Sequence, residues 1–295
     1  MKTILLTALA LSAFAANSVL CRLALGEGAI DAMGFTTIRL FAGVLTLLII
    51  LKLNREPVYP PTKGSWAASL MLILYAITFS FAYVTLDTGT GALILFGSVQ
   101  TTMILLSVIR GTQLHLSEWL GLLTAFGGFL YLILPDLSTP SVMGFALMSI
   151  SGAAWGVYTL KGRGSMNPLL DTAHNFLRTL PLILILFLVG IKTAHYSLEG
   201  ILFAVLSGSL ASGIGYTIWY MALRGLSATQ AAVIQLSVPV IAAFGGVLFV
   251  SEMITFRLGV STMIILGGIL MVILGKIYFV KLPNIKTELN APDAL

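Results

Sequence analysis

Apolar residues along this chain run in long stretches separated by short polar breaks. A helical membrane span needs about 20 mostly apolar residues. Ten stretches meet that test: 4–21, 32–53, 65–86, 89–109, 118–134, 142–160, 172–191, 198–223, 228–250 and 256–280. The connections are short and hold the polar and helix-breaking residues, such as Asn54-Arg55-Glu56-Pro57, Pro135-Asp136, Lys161-Gly162-Arg163-Gly164 and Arg224-Gly225. None is long enough to fold as a separate soluble domain, and residues 283–295 read as a short polar tail. Met1-Lys2 ahead of an apolar run and the small pair Ala15-Ala16 resembles a cleavable signal peptide. Cleavage would leave nine spans and no counterpart for the sixth, so the first span is read as retained. A lipoprotein reading through Cys21 fails because bulky Leu20 stands where a small residue is needed.

Composition narrows the class. Of 295 residues, 58% are hydrophobic and 9% charged, against about 25% charged in a soluble domain. Mean hydropathy is +1.02, and about 170 apolar residues exceed what one soluble core buries. A soluble globular enzyme, a disordered chain and a nucleic-acid binder are thereby excluded. The fold class expected is an all-α membrane protein with ten transmembrane helices. Cys21 is the only cysteine, so no intrachain disulfide forms.

The net charge of +5 encodes topology rather than an anionic partner. With the N-terminus inside, the inner segments hold Lys2, Lys52, Arg55, Lys63, Arg110, Lys161, Arg163, Arg224, Lys276, Lys281 and Lys286. The outer segments hold Arg22, Lys192 and Arg257. Eleven against three predicts a multi-pass protein of the cell membrane with both termini cytoplasmic.

The two halves match weakly. At an offset of 139, Arg22 meets Lys161 and Arg39 meets Arg178; at 137, Tyr83 meets Tyr220; at 140, Gly127-Gly128 meets Gly267-Gly268. Residues 1–138 and 139–282 then form two five-helix repeats, followed by the tail at 283–295. Five is odd, so the second repeat is inverted relative to the first. Inverted repeats mark secondary transporters, with substrate held near the midplane between them.

The second half carries Gln235-Leu236-Ser237-Val238-Pro239, Gly245-Gly246, Ser251-Glu252-Met253-Ile254-Thr255, Gly259 and Gly267-Gly268. With Ile38-Arg39-Leu40 in the second span, this pattern resembles the EamA-type drug/metabolite transporter superfamily over nearly the whole chain. The resemblance implies a central cavity bordered by helices one, three, four, six, eight and nine. The first half departs from the pattern at Ser98-Val99-Gln100-Thr101-Thr102 and Gly111-Thr112-Gln113, so a strictly symmetric mechanism is not implied.

Charges inside a membrane are costly and mark functional candidates. Arg39 and Arg178 lie eight and seven residues past Asp31 and Asp171, at matched depths from opposite surfaces. They either attract an anionic substrate group and switch partners during gating, or cap neighbouring carbonyls and snorkel. No Asp or Glu falls mid-span, which weakens a central proton relay and leaves coupling through Glu252 or Asp87 open.

Aromatic and amide residues supply the candidate cavity. Ser212, Tyr216 and Tyr220 recur at four-residue spacing in span eight, with Trp219 beside them. The 137 offset sets Tyr75, Phe79 and Tyr83 at the equivalent places in span three. Trp155 and Tyr158 add a wall from span six, and Asn17 lies at that depth in span one. Pro239 predicts a kink midway along span nine that frees the Gln235 carbonyl toward a polar pathway; Gln100 is the parallel position in span four. The substrate-binding candidates are thus Asn17, Phe79, Tyr83, Gln100, Trp155, Tyr158, Tyr216, Trp219 and Gln235, with ordinary helix packing as the alternative for the aromatic stripes. The Gly-Gly pairs read as close-packing positions.

No nucleophile, metal or phosphate-loop constellation occurs, so neither catalysis nor a cofactor is expected. The chain reads as an alternating-access exporter or exchanger of small metabolites, such as amino acids or related zwitterionic and aromatic compounds. A facilitated carrier for organic anions or nucleotide-type metabolites is the alternative, followed by a structural membrane protein. Expected partners are a small-molecule substrate and the lipid bilayer, with no nucleic acid, in a monomer or weak homodimer.

Overall fold

The computed structural model describes residues 2–53, 63–109, 111, 114–133, 140–162, 165–192, 194–226 and 234–280. The polar tail, Asn54-Arg55-Glu56-Pro57, Arg110, Thr112-Gln113, Pro135-Asp136 and Arg163-Gly164 lie outside the described residues. Helices with described bounds are α1 (Lys2–Leu25), α2 (Ala32–Leu53), α3 (Trp66–Tyr83), α4 (Thr88–Ile109), α5 (Leu116–Ile133) and α6 (Val142–Gly162). They are followed by α7 (Pro168–Leu177), α8 (Leu180–Gly190), α9 (Leu198–Leu206), α10 (Gly215–Leu223), α11 (Val238–Val250) and α12 (Phe256–Val280). Among the described residues the one strand-like pairing is an isolated bridge between Ile30 and Tyr196. Among the described residues, eight helical stretches are long and apolar enough to cross a membrane, and the shorter apolar helices Leu116–Leu132 and Val238–Val250 accompany them.

Short polar side chains set where these helices begin. Asp31, Ser65, Ser141, Asn167 and Ser197 each accept a hydrogen bond from the backbone N–H three residues on. Each thereby satisfies one of the orphan donors of a first turn. Pro168 follows its cap directly, where its missing N–H costs nothing.

Three crossings differ from uniform helices. The seventh breaks into α7 and α8 at a turn over Arg178 and Thr179, just ahead of Pro181. The eighth contains a π-helical segment, Ser207–Ile214, between α9 and α10. In the ninth, Gln235 is helical, Leu236 and Ser237 turn, and α11 starts at Val238. Pro239 therefore lies in the first turn of α11 rather than kinking a continuous helix. A first turn needs no N–H from it, which is why the chain stops and restarts there. Residues 227–233 of the expected ninth span lie outside the described residues.

Helix pairs form the body. α5 packs on α12, α4 on α11, α2 on α7 and α8, α3 and α4 on α6, and α1 on α10 and α11. Lipid is as apolar as a leucine side chain, so close approach rather than hydrophobic burial holds such pairs. At the α5–α12 crossing, a Cβ on Gly121 would sit 2.5 Å from the Gly268 carbonyl oxygen, and one on Gly268 2.6 Å from that of Gly121. Of the glycine pairs expected to pack, Gly128, Gly245, Gly246 and Gly268 do so, whereas Gly127 and Gly267 face open space. Large apolar side chains such as Phe41, Ile49, Leu184 and Val189 point outward, while Asn17, Arg39, Gln100, Ser207, Ser212 and Gln235 are buried.

Candidate functional site

The π-helical segment presses against α2 at one residue. A Cβ on Gly208 would collide with the backbone carbonyl of Arg39, so only glycine lets the two backbones approach. π-Helical turns are common at functional sites. This one turns Ser212 toward the Arg39 guanidinium.

Arg39 is 1% exposed. Its Nε donates to Ser212 Oγ at 3.2 Å, and its Nη2 donates to the hydroxyls of Tyr75 at 3.1 Å and Tyr216 at 3.0 Å. The two hydroxyls lie 3.2 Å apart. Asn17 Nδ2 donates to Tyr75 at 3.2 Å, and Asn17 Oδ1 accepts from Ser207 Oγ at 2.6 Å. The guanidinium carbon sits 5.2 Å from the Tyr75 ring centre and 5.0 Å from that of Phe79. Insertion of an arginine at the bilayer centre costs about 2.5–3.5 kcal/mol. Hydroxyl acceptors and desolvated ring faces offset that cost without a carboxylate. Every Asp and Glu among the described residues stands at or beside a helix end, and none pairs with Arg39.

Aromatic rings continue the cluster. Trp155 lies 4.5 Å from Tyr216 and 5.0 Å from Tyr75, centre to centre. Phe14 meets the Trp155, Tyr216 and Trp219 rings edge-on. Tyr158 stacks between Trp155 and Tyr220. A cavity of about 10 Å³ remains among Phe14, Asn17, Tyr75, Phe79, Trp155 and Tyr216, room for about one water molecule.

Polar ties lie beyond this cluster toward both ends of the bundle. At the end reached by the C-terminus of α1, Arg22 Nε donates to Glu252 Oε1 at 3.0 Å and its Nη2 lies 3.4 Å from Asp87 Oδ1. Both Glu252 oxygens accept from Thr88 N, at 3.1 and 2.9 Å, placing a carboxylate on the positive end of α4. Ser251 adopts φ 58°, a left-handed conformation strained for a residue with a Cβ, and so turns Glu252 inward. Beside this tie is a cavity of about 330 Å³ lined by Thr85, Asp87, Thr90, Ser141 and Glu252 among others. At the same end, Asp31 Oδ2 accepts from His195 N at 3.1 Å. Partial burial, and then the Asp31 carboxylate, push the Tyr196 phenol above its usual pKa.

At the opposite end, Asp171 accepts from Gly64 N at 2.9 Å and Ser165 Oγ at 2.6 Å, and Asn175 accepts from Ser65 N at 2.9 Å. Arg178 donates to the Lys63 carbonyl and covers the Trp66 ring at 5.6 Å. Arg224 donates to the carbonyls of Ser165 and Met166.

The structure thus gathers Asn17, Phe79, Trp155 and Tyr216 around one cavity, with Tyr158 and Trp219 directly behind. Tyr83 stands farther along α3, its hydroxyl donating to the Thr88 carbonyl at 3.3 Å. Gln100 and Gln235 are buried, at 2% and 1% exposure, but do not line this cavity. Arg178 does not share the depth of Arg39, because its long side chain reaches back to the end of the bundle. Sequence reasoning passed over Phe14, Ser207 and the Arg22–Glu252–Thr88 tie. Two signals could have found them: Phe14 lies three residues before Asn17 on one helical face, and Glu252 sits in the quoted motif.

Residues 142–274 match the EamA-like transporter family. An uncharacterized protein of Pseudomonas aeruginosa is 49% identical over 272 residues, covering 92% of this chain and 94% of its own. The chain belongs to the EamA-like transporter family. Another relative, the uncharacterized transporter YoaV of Bacillus subtilis, is 18% identical across 80% of this chain and 85% of its own. An uncharacterized transporter of Archaeoglobus fulgidus is 25% identical across 91% and 96%. A protein of known crystal structure, 16% identical, has a similar fold, with a TM-score of 0.63 over 90% of this chain and 96% of its own. With several apolar helices long enough to span a bilayer, this EamA-like chain is a multi-pass membrane transporter.

Proposed function

We propose that this protein is a secondary carrier that exports or exchanges small organic metabolites by alternating access through the Arg39–Tyr75–Tyr216 cluster. One observation carries the reading: a buried polar and aromatic cluster lies between two separate polar ties, one at each end of the bundle. Breaking the Arg22–Glu252 tie exposes the cluster to one side, and breaking the Asp171–Gly64 tie exposes it to the other.

Helix partnering supports an inverted repeat. Exchanging each crossing with the one five places on turns the α3–α6 contact into that of α9–α10 with α1. The same exchange turns α4–α6 into α11–α1 and α3–α7 into the contact of α9 and the π-helical segment with α2, and all of these contacts occur. Rocking of one repeat on the other would then open the ends in turn. The excess of basic residues at the end holding the termini supports cytoplasmic termini in the cell membrane, with the Arg22 end facing outward.

Reconstitution in proteoliposomes and flux of a panel of amino acids, aromatic acids and amines, with and without a pH gradient, tests the reading. Saturable flux of at least one solute is expected. Flux that never saturates for any solute, from protein shown to be folded, overturns it.

A further inference from the structure

The chemistry around Arg39 narrows the substrate class, granted the carrier reading above. The cluster holds more donors than acceptors. The guanidinium and the Asn17 amide donate to hydroxyl oxygens of Tyr75, Tyr216 and Ser212; Tyr216 gives its own proton to Tyr75, and the Tyr75 and Ser212 hydroxyls still have protons to place. Arg39 Nη1 is buried and has no hydrogen-bond partner among the described residues. A buried cation surrounded only by neutral groups is stabilised further by an anion. Arg22 and Arg178, the intramembrane-end arginines of α1 and the α7–α8 turn, are engaged elsewhere: Arg22 by Glu252 and Asp87, and Arg178 by the Lys63 carbonyl and Trp66. One positive charge matches one negative charge. A dianionic phosphate would bring a charge with no partner, and a zwitterion would bring an ammonium with no carboxylate beside it. The remaining walls are the rings of Phe14, Phe79 and Trp155, which suit a flat or apolar body.

We propose that the transported solute is an organic monoanion, an aromatic or apolar monocarboxylate whose carboxylate meets Arg39 and the Tyr75 and Tyr216 hydroxyls while its body lies against Trp155 and Phe14. The cavity is about 10 Å³ with both ends tied, so loading requires that one end open and the ring walls part.

Benzoate is the probe. Its binding to the full-length purified protein is followed by tryptophan fluorescence, and its flux is measured in proteoliposomes against protein-free vesicles. Saturable benzoate binding and flux are expected. The neutral isostere benzamide should bind at least about tenfold more weakly because it lacks the charge-assisted hydrogen bond, and the dianion phenyl phosphate at least about tenfold more weakly because its second charge has no partner. Arg39→Gln should lose benzoate binding, Arg39→Lys should keep part of it, and Tyr216→Phe should weaken it with the ring wall intact. If Arg39→Gln does not fold, the wild-type comparison of benzoate with benzamide, phenyl phosphate and phenylalanine decides alone. Benzamide, phenyl phosphate or phenylalanine binding as well as benzoate, or no saturable benzoate binding, overturns the monoanion class. In that event the carrier reading survives if any other solute of the panel shows saturable flux, and falls with the monoanion class if none does.

Discussion

Glu252→Gln removes the charge from the tie at the Arg22 end while keeping the side chain's shape. In the native protein the carboxylate holds Arg22 Nε at 3.0 Å and the Thr88 N–H at 2.9 Å. The Arg22 and Glu252 side chains are only 19% and 13% exposed, so water screens the pair weakly. A hydrogen bond to a charged group contributes about 1.5–3 kcal/mol against about 1 kcal/mol for a neutral one. Losing that difference at two contacts shifts the balance between closed and open by about 2 kcal/mol, or roughly 30-fold. Asp87, 57% exposed, adds little. Cys21 reports the opening: it is the only cysteine, it precedes Arg22, and it is fully buried. When closing is faster than modification, its rate of reaction with a maleimide follows the open population. Glu252→Gln should raise that rate roughly 30-fold, while Asp87→Asn should change it by less than about threefold. An unchanged rate in folded Glu252→Gln protein would refute the tie as a closing element.

Three further outcomes are expected. Gly208→Ala puts a methyl group on the Arg39 backbone carbonyl, which cannot retract, and should cost about 1–3 kcal/mol. Its thermal midpoint in detergent should fall below that of Gly267→Ala, whose Cβ meets open space; equal midpoints would contradict the close approach. Asn175→Ala leaves the Ser65 N–H without its acceptor and should weaken that end by about 0.5–1.5 kcal/mol, seen as faster hydrogen exchange at the start of α3. Pro239→Ala should shift stability by less than about 1 kcal/mol, because a first-turn residue needs no N–H. A gain near 3 kcal/mol would instead mean that a continuous helix had been kinked.

The ten apolar stretches were legible because a bilayer demands about 20 apolar residues per crossing, a rule that leaves its mark in one dimension. The facing aromatic stripes were legible for a similar reason. Four-residue spacing in span eight and its image at offset 137 set Tyr75, Phe79 and Tyr216 on matched faces before any coordinates. Arg39 and Arg178 show where such reasoning stops. Both lie at similar distances from a helix start, yet one is enclosed by hydroxyls and rings, whereas the other reaches back to the bundle end. Depth along a helix is set by sequence position, but a side chain of arginine's length goes wherever its acceptors are. The break at Pro239 was ambiguous for a related reason: a proline opens a helix as readily as it kinks one, and only the neighbouring turn tells which.

Family membership, the membrane-spanning class and the pool of aromatic and amide residues near the site were already determined by the sequence. These follow from composition, periodicity and short motifs, each a local property. What only the tertiary structure decided was which of those residues meet. The π-helical segment that turns Ser212 onto Arg39 and the partnering of Arg22 with Glu252, 230 positions away, are such meetings. Contacts of that kind depend on how crossings stack against one another, through close approaches such as Gly208 on Arg39, and helical spacing along one chain does not encode them.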